Sequence, residues 1–158
     1  MAPDRSDSDL QILLSNFARS LENVGDYPAA ERTYVRAEEL ARKTTGEQQP
    51  SYWLARACHA RLLHRHGERE RAHVLFEQML QSIPSNWTSN NDDAWARGEY
   101  ADCLAAEGLA KDAVPILETT LRRWSERAHG SGLPVWRMDL GDAYDRAGRA
   151  DEARNMLK

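Results

Sequence analysis

The stretch Asn16-Phe17-Ala18-Arg19-Ser20-Leu21-Glu22-Asn23-Val24-Gly25-Asp26-Tyr27-Pro28-Ala29-Ala30-Glu31-Arg32-Thr33-Tyr34 sets the pattern that the remainder of the chain repeats. Ala18 and Leu21 stand seven and four residues before Gly25, so they share one face of a helix. The small residue lets a second helix come close. Gly25 predicts the end of that helix, because glycine takes a left-handed cap at no steric cost. Ala30 and Tyr34 lie four apart beyond it and predict the buried stripe of a second, antiparallel helix.

Working outward, Gly67, Gly108 and Gly148 follow Gly25 at spacings of 42, 41 and 40 residues. Seven before each glycine stand Ala18, Ala60, Ala101 and Gly141; four before stand Leu21, Leu63, Leu104 and Tyr144. Five after stand Ala30, Ala72, Ala113 and Ala153; nine after stand Tyr34, Phe76, Leu117 and Leu157. A period of this length signals a repeat array. The columns predict helices over 9–24, 27–43, 51–66, 69–82, 92–107, 110–126, 134–147 and 150–157, with breakers between units at Thr45-Gly46 and Pro50, at Pro84 to Asn91, and at Gly130 to Pro134. They divide the chain into a polar tail, 1–8, and a repeat domain, 9–158, with units over 9–50, 51–91, 92–133 and 134–158. The last unit has a short second helix, an unusual end for an array that ordinarily closes on a polar capping helix.

This framework resembles the tetratricopeptide repeat family over about residues 10–158. The first unit carries it from Asn16-Phe17-Ala18 through Gly25-Asp26-Tyr27-Pro28-Ala29-Ala30 to Tyr34-Val35-Arg36-Ala37, and the fourth through Leu140-Gly141-Asp142-Ala143-Tyr144 and Gly148-Arg149-Ala150-Asp151-Glu152-Ala153. The 40–42-residue period is similar to that of the longer, kinesin-light-chain-like subclass, as is the segment Arg36-Ala37-Glu38-Glu39-Leu40 with Thr45-Gly46-Glu47 and Pro50. The resemblance implies an all-α fold, a right-handed α-α superhelix of about four helical hairpins. Departures fall at His59, where a large apolar residue is usual, at Met79 and Thr120, which replace a later alanine, and at Arg69, which replaces a tyrosine.

The resemblance also implies a scaffold that holds a protein or peptide on a concave groove lined by first helices. Nine and six residues before the glycines stand Asn16 and Arg19, Cys58 and Arg61, Glu99 and Asp102, and Asp139 and Asp142; three and two before stand Glu22 and Asn23, His64 and Arg65, Ala105 and Ala106, and Asp145 and Arg146. The groove reading takes Asn16, Arg19, Asn23, Arg61, His64, Arg65, Glu99, Asp102, Asp139 and Asp142 as ligand-facing. A basic second unit and acidic last units would orient a ligand of opposite polarity. The alternative at each position is a charge on a solvated face. Reversing Arg61 and Arg65 to Glu is accordingly expected to slow binding and leave the fold intact. Asn16 matches the asparagine with which the subclass holds a peptide backbone; the other units have Cys58, Glu99 and Asp139 there. The lysine and asparagine clamp of chaperone-tail binders is absent. A second reading is a self-associating or regulatory segment of a larger repeat protein, with the open last hairpin completing another copy.

Charged residues make up 29% of the chain and hydrophobic ones 41%, with a formal net charge of −4. That balance fits a soluble protein and not a general nucleic-acid binder. No run approaches the ~20 apolar residues of a membrane span, and the first eight residues lack a signal-peptide core. The expectation is a cytoplasmic protein with no cofactor. Cys58 and Cys103 read as buried thiols, His59 as packed, and His64, His66, His73 and His129 as solvated. No histidine pairing completes a zinc spacing, and neither a nucleophile elbow nor a phosphate-cradling loop is present, so no catalysis is expected. Trp53, Trp95 and Trp136, early in first helices, read as packing residues, and Trp87 as the most exposed tryptophan.

Overall fold

The computed structural model describes residues 5–84, 91–125 and 134–156. These form α1 (Arg5–Asn23), α2 (Tyr27–Thr44), α3 (Pro50–Arg65), α4 (Arg69–Ser82), α5 (Asn91–Ala106), α6 (Ala110–Ser125), α7 (Pro134–Arg146) and α8 (Ala150–Met156). There are no strands among the described residues. The helices fall into two compact units, Met1–Trp87 and Thr88–Lys158. In the first, α1 pairs with α2 and α3 with α4, and α3 also rests on α2 and α1. In the second, α5 pairs with α6 and α7 with α8, and α7 rests on α6 and α5.

Each hairpin turns through the same hydrogen-bonded cap. Gly25 N–H donates to the Glu22 carbonyl (3.0 Å) and Asp26 N–H to the Leu21 carbonyl (3.0 Å). The pair recurs as Gly67 to His64 and Glu68 to Leu63, as Gly108 to Ala105 and Leu109 to Leu104, and as Gly148 to Asp145 and Arg149 to Tyr144. This is the Schellman arrangement, and it places Gly25 at φ +84°. A side chain there would be strained although nothing crowds the site. Asp26 then caps α2, its Oδ1 accepting from Ala29 N–H at 3.1 Å, with Pro28 in the first turn.

The columns on either side of the glycines form the core. Ala18, Ala60, Ala101 and Gly141 are buried on first helices, and Ala30, Ala72, Ala113, Tyr34, Phe76 and Leu117 on second helices. Ala153 is half-buried, and Leu157 lies outside the described residues. Met79 and Thr120 are buried where smaller alanines would suffice; the Thr120 hydroxyl is accommodated by donating to the Ile116 carbonyl (2.8 Å). Trp53 is fully buried, and its Nε1 donates to the Glu47 carbonyl (2.8 Å). Trp87, Trp124, Trp136 and His129 lie outside the residues whose side chains are described, and Trp95 is half-buried.

Three expectations need correction. Helix α1 begins at Arg5, not at 9; Ser6, Asp7 and Ser8 read as a tail, yet Asp and Ser suit a first helical turn. Cys58 is half-buried, while Cys103 is buried, and the two are not joined in a disulfide. Cys58 sits nine before Gly67, at the edge of the packed stripe and not within it. His64 and His73 are half-buried instead of solvated.

Helix α8 has seven residues and buries none. Its amides should exchange with solvent faster than those of α4, which buries Ala72, Phe76 and Met79, because local stability follows buried apolar contact. Equal protection in dilute solution would contradict this. Ala72 is fully buried between α3 and α4. Ala72→Arg should therefore cost roughly 2–4 kcal/mol; an unchanged thermal melt would exclude that packing.

Candidate functional site: exposed faces of the first helices

In the first unit, α1 and α3 lie side by side and a buried carboxylate joins them. The Glu22 side chain is only 3% exposed. Its Oε1 accepts from the Arg65 guanidinium at 2.7 Å and its Oε2 from Arg61 at 3.4 Å. A desolvated carboxylate is costly unless cations and hydrogen bonds surround it, and here two arginines one helical turn apart do so. Arg61 is half-buried, and Arg65 keeps an exposed face toward solvent. Asn16, Arg19 and Asn23 are exposed along α1, with Arg19 donating to Asn16 Oδ1 at 2.8 Å. His64 is half-buried on the adjoining turn.

The arginine pair is thus bound to Glu22 before any ligand arrives. Reversing both arginines would set two carboxylates against a buried third, so it should lower the stability of the first unit as well as change its surface charge. On the neighbouring side of α3, His59 is buried, with Nδ1 2.7 Å from Glu38 Oε1 and Nε2 3.8 Å from Glu31. That carboxylate-lined niche explains a polar ring where an apolar residue is usual.

In the second unit the corresponding face carries the opposite charge. Between α5 and α7 lies a cleft of about 190 Å³. Ala101, Ala105 and Ala106 lie on its α5 side, and Asp102, Asp139 and Asp142 bring their carboxylates to it. The small residues leave the room that larger side chains would fill. Burial, and then the nearby Asp139 charge, raises the Asp102 carboxyl above the usual range, with Arg146 pulling it back. Burial and then Asp142 likewise raise Asp139. Arg146 donates to the Ala105 carbonyl at 3.4 Å. Glu99 is half-buried on α5 and does not line this cleft.

Residues 92–158, the second unit's helices, match the tetratricopeptide repeat family. Over those residues the chain carries the tetratricopeptide repeat. Similar solved structures cover nearly all of it. One is the crystal structure of nearly identical TPR-like repeats from a Podosopora anserina protein assigned as a kinesin light chain, at 20% identity, 93% of this chain, 71% of that one and a TM-score of 0.71. A variant of the same protein covers 98% of this chain and 74% of that one, at 20% identity and a TM-score of 0.78. BtubC (BKLC) from P. vanneervenii covers 94% of this chain but 60% of that one, at 16% identity and a TM-score of 0.75. At these identities the likeness shows the fold, an all-α tetratricopeptide-repeat fold. None of the curated proteins matches the sequence. Tetratricopeptide repeats are in general non-catalytic scaffolds for protein interaction. Among the described residues of this repeat protein, no group of three or more His, Cys, Asp or Glu could hold a metal ion, and no helix is long and apolar enough to cross a membrane.

Sequence reasoning named the arginines and the aspartates but missed Glu22, which holds Arg61 and Arg65. The signal was present. Only in the first unit does an acid three before the glycine precede a unit with arginines at both six and two before its own. Glu22→Gln should destabilise the first unit by roughly 1–2 kcal/mol, and Arg61→Glu with Arg65→Glu by roughly 2–4 kcal/mol. Chemical denaturation measures both; a double reversal with native stability would remove Glu22 from its assigned place.

Proposed function

We propose that the chain is a scaffold that holds a protein or peptide partner on the exposed faces of its first helices, and that the α5–α7 face takes a cationic segment. The observation that carries this reading is the cleft with Asp102, Asp139 and Asp142 around it. Three carboxylates crowded beside small residues repel one another, and a lysine or arginine side chain seated among them would relieve that repulsion. Burial first, and this repulsion second, raises the Asp102 and Asp139 carboxyls. On the α1–α3 face, Asn16, Arg19, Asn23 and the outer side of Arg65 offer hydrogen-bond donors to an extended backbone or an acidic side chain. His64 and Glu99 sit beside these faces as supporting positions. The reading assigns no catalysis, no nucleic acid and no membrane. It places the scaffold in the cytoplasm, in keeping with Cys58 and Cys103 not being joined in a disulfide.

The test uses a library of lysine- and arginine-containing peptides, with acidic peptides as the control. Asp102→Asn with Asp139→Asn should weaken the cationic hits about tenfold at low salt and less at high salt. Binding should fall as acid protonates the two carboxyls, and it should fall at a higher pH than ordinary aspartates would give, because both are shifted upward. Stability should move the other way. A carboxyl with a raised folded-state pKa destabilises the fold once ionised, so stability declines as pH rises from the unfolded value through the raised one. At neutral pH, Asp139→Asn should therefore raise stability by about 0.5 kcal/mol or less, since solvent screens part of the repulsion. Cationic peptides that ignore the double change would place binding elsewhere.

A further inference from the structure

Helix α1 displays an apolar stripe. Leu10 is 41% exposed, Leu13 63%, Phe17 58% and Val24 78%. The first three stand 15, 12 and 8 residues before Gly25. The residues 15, 12 and 8 before Gly67 are Tyr52, Ala55 and His59, and in α3 they are 5%, 0% and 5% exposed. Leu140, eight before Gly148 on α7, is 2% exposed. In α3 and α7 this face belongs to helices that rest on the preceding hairpin. The α1 stripe is thus the face by which a first helix docks onto a hairpin, and among the described residues no hairpin lies on it.

The first unit displays how such docking works. Helix α3 enters the groove of the α1–α2 hairpin. Glu22, three before Gly25, holds Arg61 and Arg65, six and two before Gly67. Tyr27, two after Gly25, packs at a tilt against His66 with ring centroids 4.5 Å apart. Glu31, six after Gly25, approaches His59. On the α7–α8 hairpin the same three register positions are Asp145, Ala150 and Arg154, and all three line an open cleft of about 350 Å³ that includes Met138 and Gly141. Met138 is 63% exposed. Over such a groove, the α1 register would set Arg19 and Asn23 against Asp145, as Arg61 and Arg65 stand against Glu22, and Val24 over Ala150, as His66 stands over Tyr27.

We propose that the α7–α8 cleft of one copy receives α1 of a second copy, head to tail, in the register by which α3 docks on α1–α2. Shape and charge agree on this occupant: an exposed Leu10–Leu13–Phe17 face with Arg19 beside it meets a cleft whose apolar part is Met138, Gly141, Ala150 and Ala153 and which also carries Asp142, Asp145 and Arg154. The contact is heterologous, so it leaves one α1 face and one α7–α8 cleft open at the ends of each assembly. This goes beyond the scaffold reading: it shares Arg19, Asn23 and Asp142 with the faces that reading uses, but it rests on the exposed α1 stripe and the α7–α8 cleft and would stand if no peptide bound.

Sedimentation of the full chain from about 1 µM to about 1 mM tests it, across the range in which weak specific contacts form. The native chain should gain mass with concentration. Leu13→Glu with Phe17→Glu, and separately Met138→Glu, should each be monomeric with unchanged circular dichroism. Mixing the two variants should give a dimer and nothing larger, because one intact α1 then meets one intact cleft. Arg19→Glu and Asp145→Arg should each weaken association by a factor of about five at low salt, and the two together in one chain should restore it. A native chain that stays monomeric throughout overturns the proposal. So does a Leu13→Glu/Phe17→Glu chain that still associates, or a Met138→Glu chain that associates alone, which would mean that α1 pairs with α1.

Discussion

Every position in this protein is counted from a glycine that ends a helix in the left-handed region. The cap in which Gly25 donates to the Glu22 carbonyl and Asp26 to the Leu21 carbonyl recurs three more times. It fixes where the first helix stops and how soon the second begins, and so decides which residues of the two meet. The small residues seven before each glycine (Ala18, Ala60, Ala101 and Gly141) and the alanines five after it then let the helices approach. The bulky residue nine after it fills the space beside them, as Tyr34, Phe76 and Leu117 do. Close approach is thus a consequence of the turn, and the turn is a consequence of one residue's freedom at positive φ.

The same register carries different chemistry in different places. Three before the glycine, a buried glutamate binds two arginines in the first unit, while the second unit has an alanine whose carbonyl accepts from Arg146. Six before it, Arg61 is tied to Glu22, and Asp102 stands among other carboxylates. The hairpin geometry is constant and its exposed first-helix positions are variable. That division lets one fold present a neutralised basic face in one unit and a crowded acidic face in the other.

The hairpins and their core were legible because they rest on local signals: a helix-ending glycine and residues three or four apart. Two kinds of feature were not. Where α1 starts depends on a first turn that polar residues tolerate as well as a tail does, so Ser6-Asp7-Ser8 was ambiguous. The burial of Glu22 depends on the neighbouring hairpin, some forty residues along, and a charged residue in isolation reads as solvated. Cys58 failed for the related reason that a helix face passes from buried to exposed within one residue step. The acidic cleft was half legible: the aspartates were visible in their columns, but the room beside them comes from Ala101, Ala105 and Ala106 acting together with α7.

Within each unit, every helix contact among the described residues joins elements one or two apart in the chain. Among the described residues no strand must wait for a distant partner. Chains of this kind have low contact order, and loop closure consumes little entropy before contacts begin to form. Folding can start at whichever hairpin first meets its neighbour and spread outward, so nascent chain leaving the ribosome can begin to order before the later repeats are made.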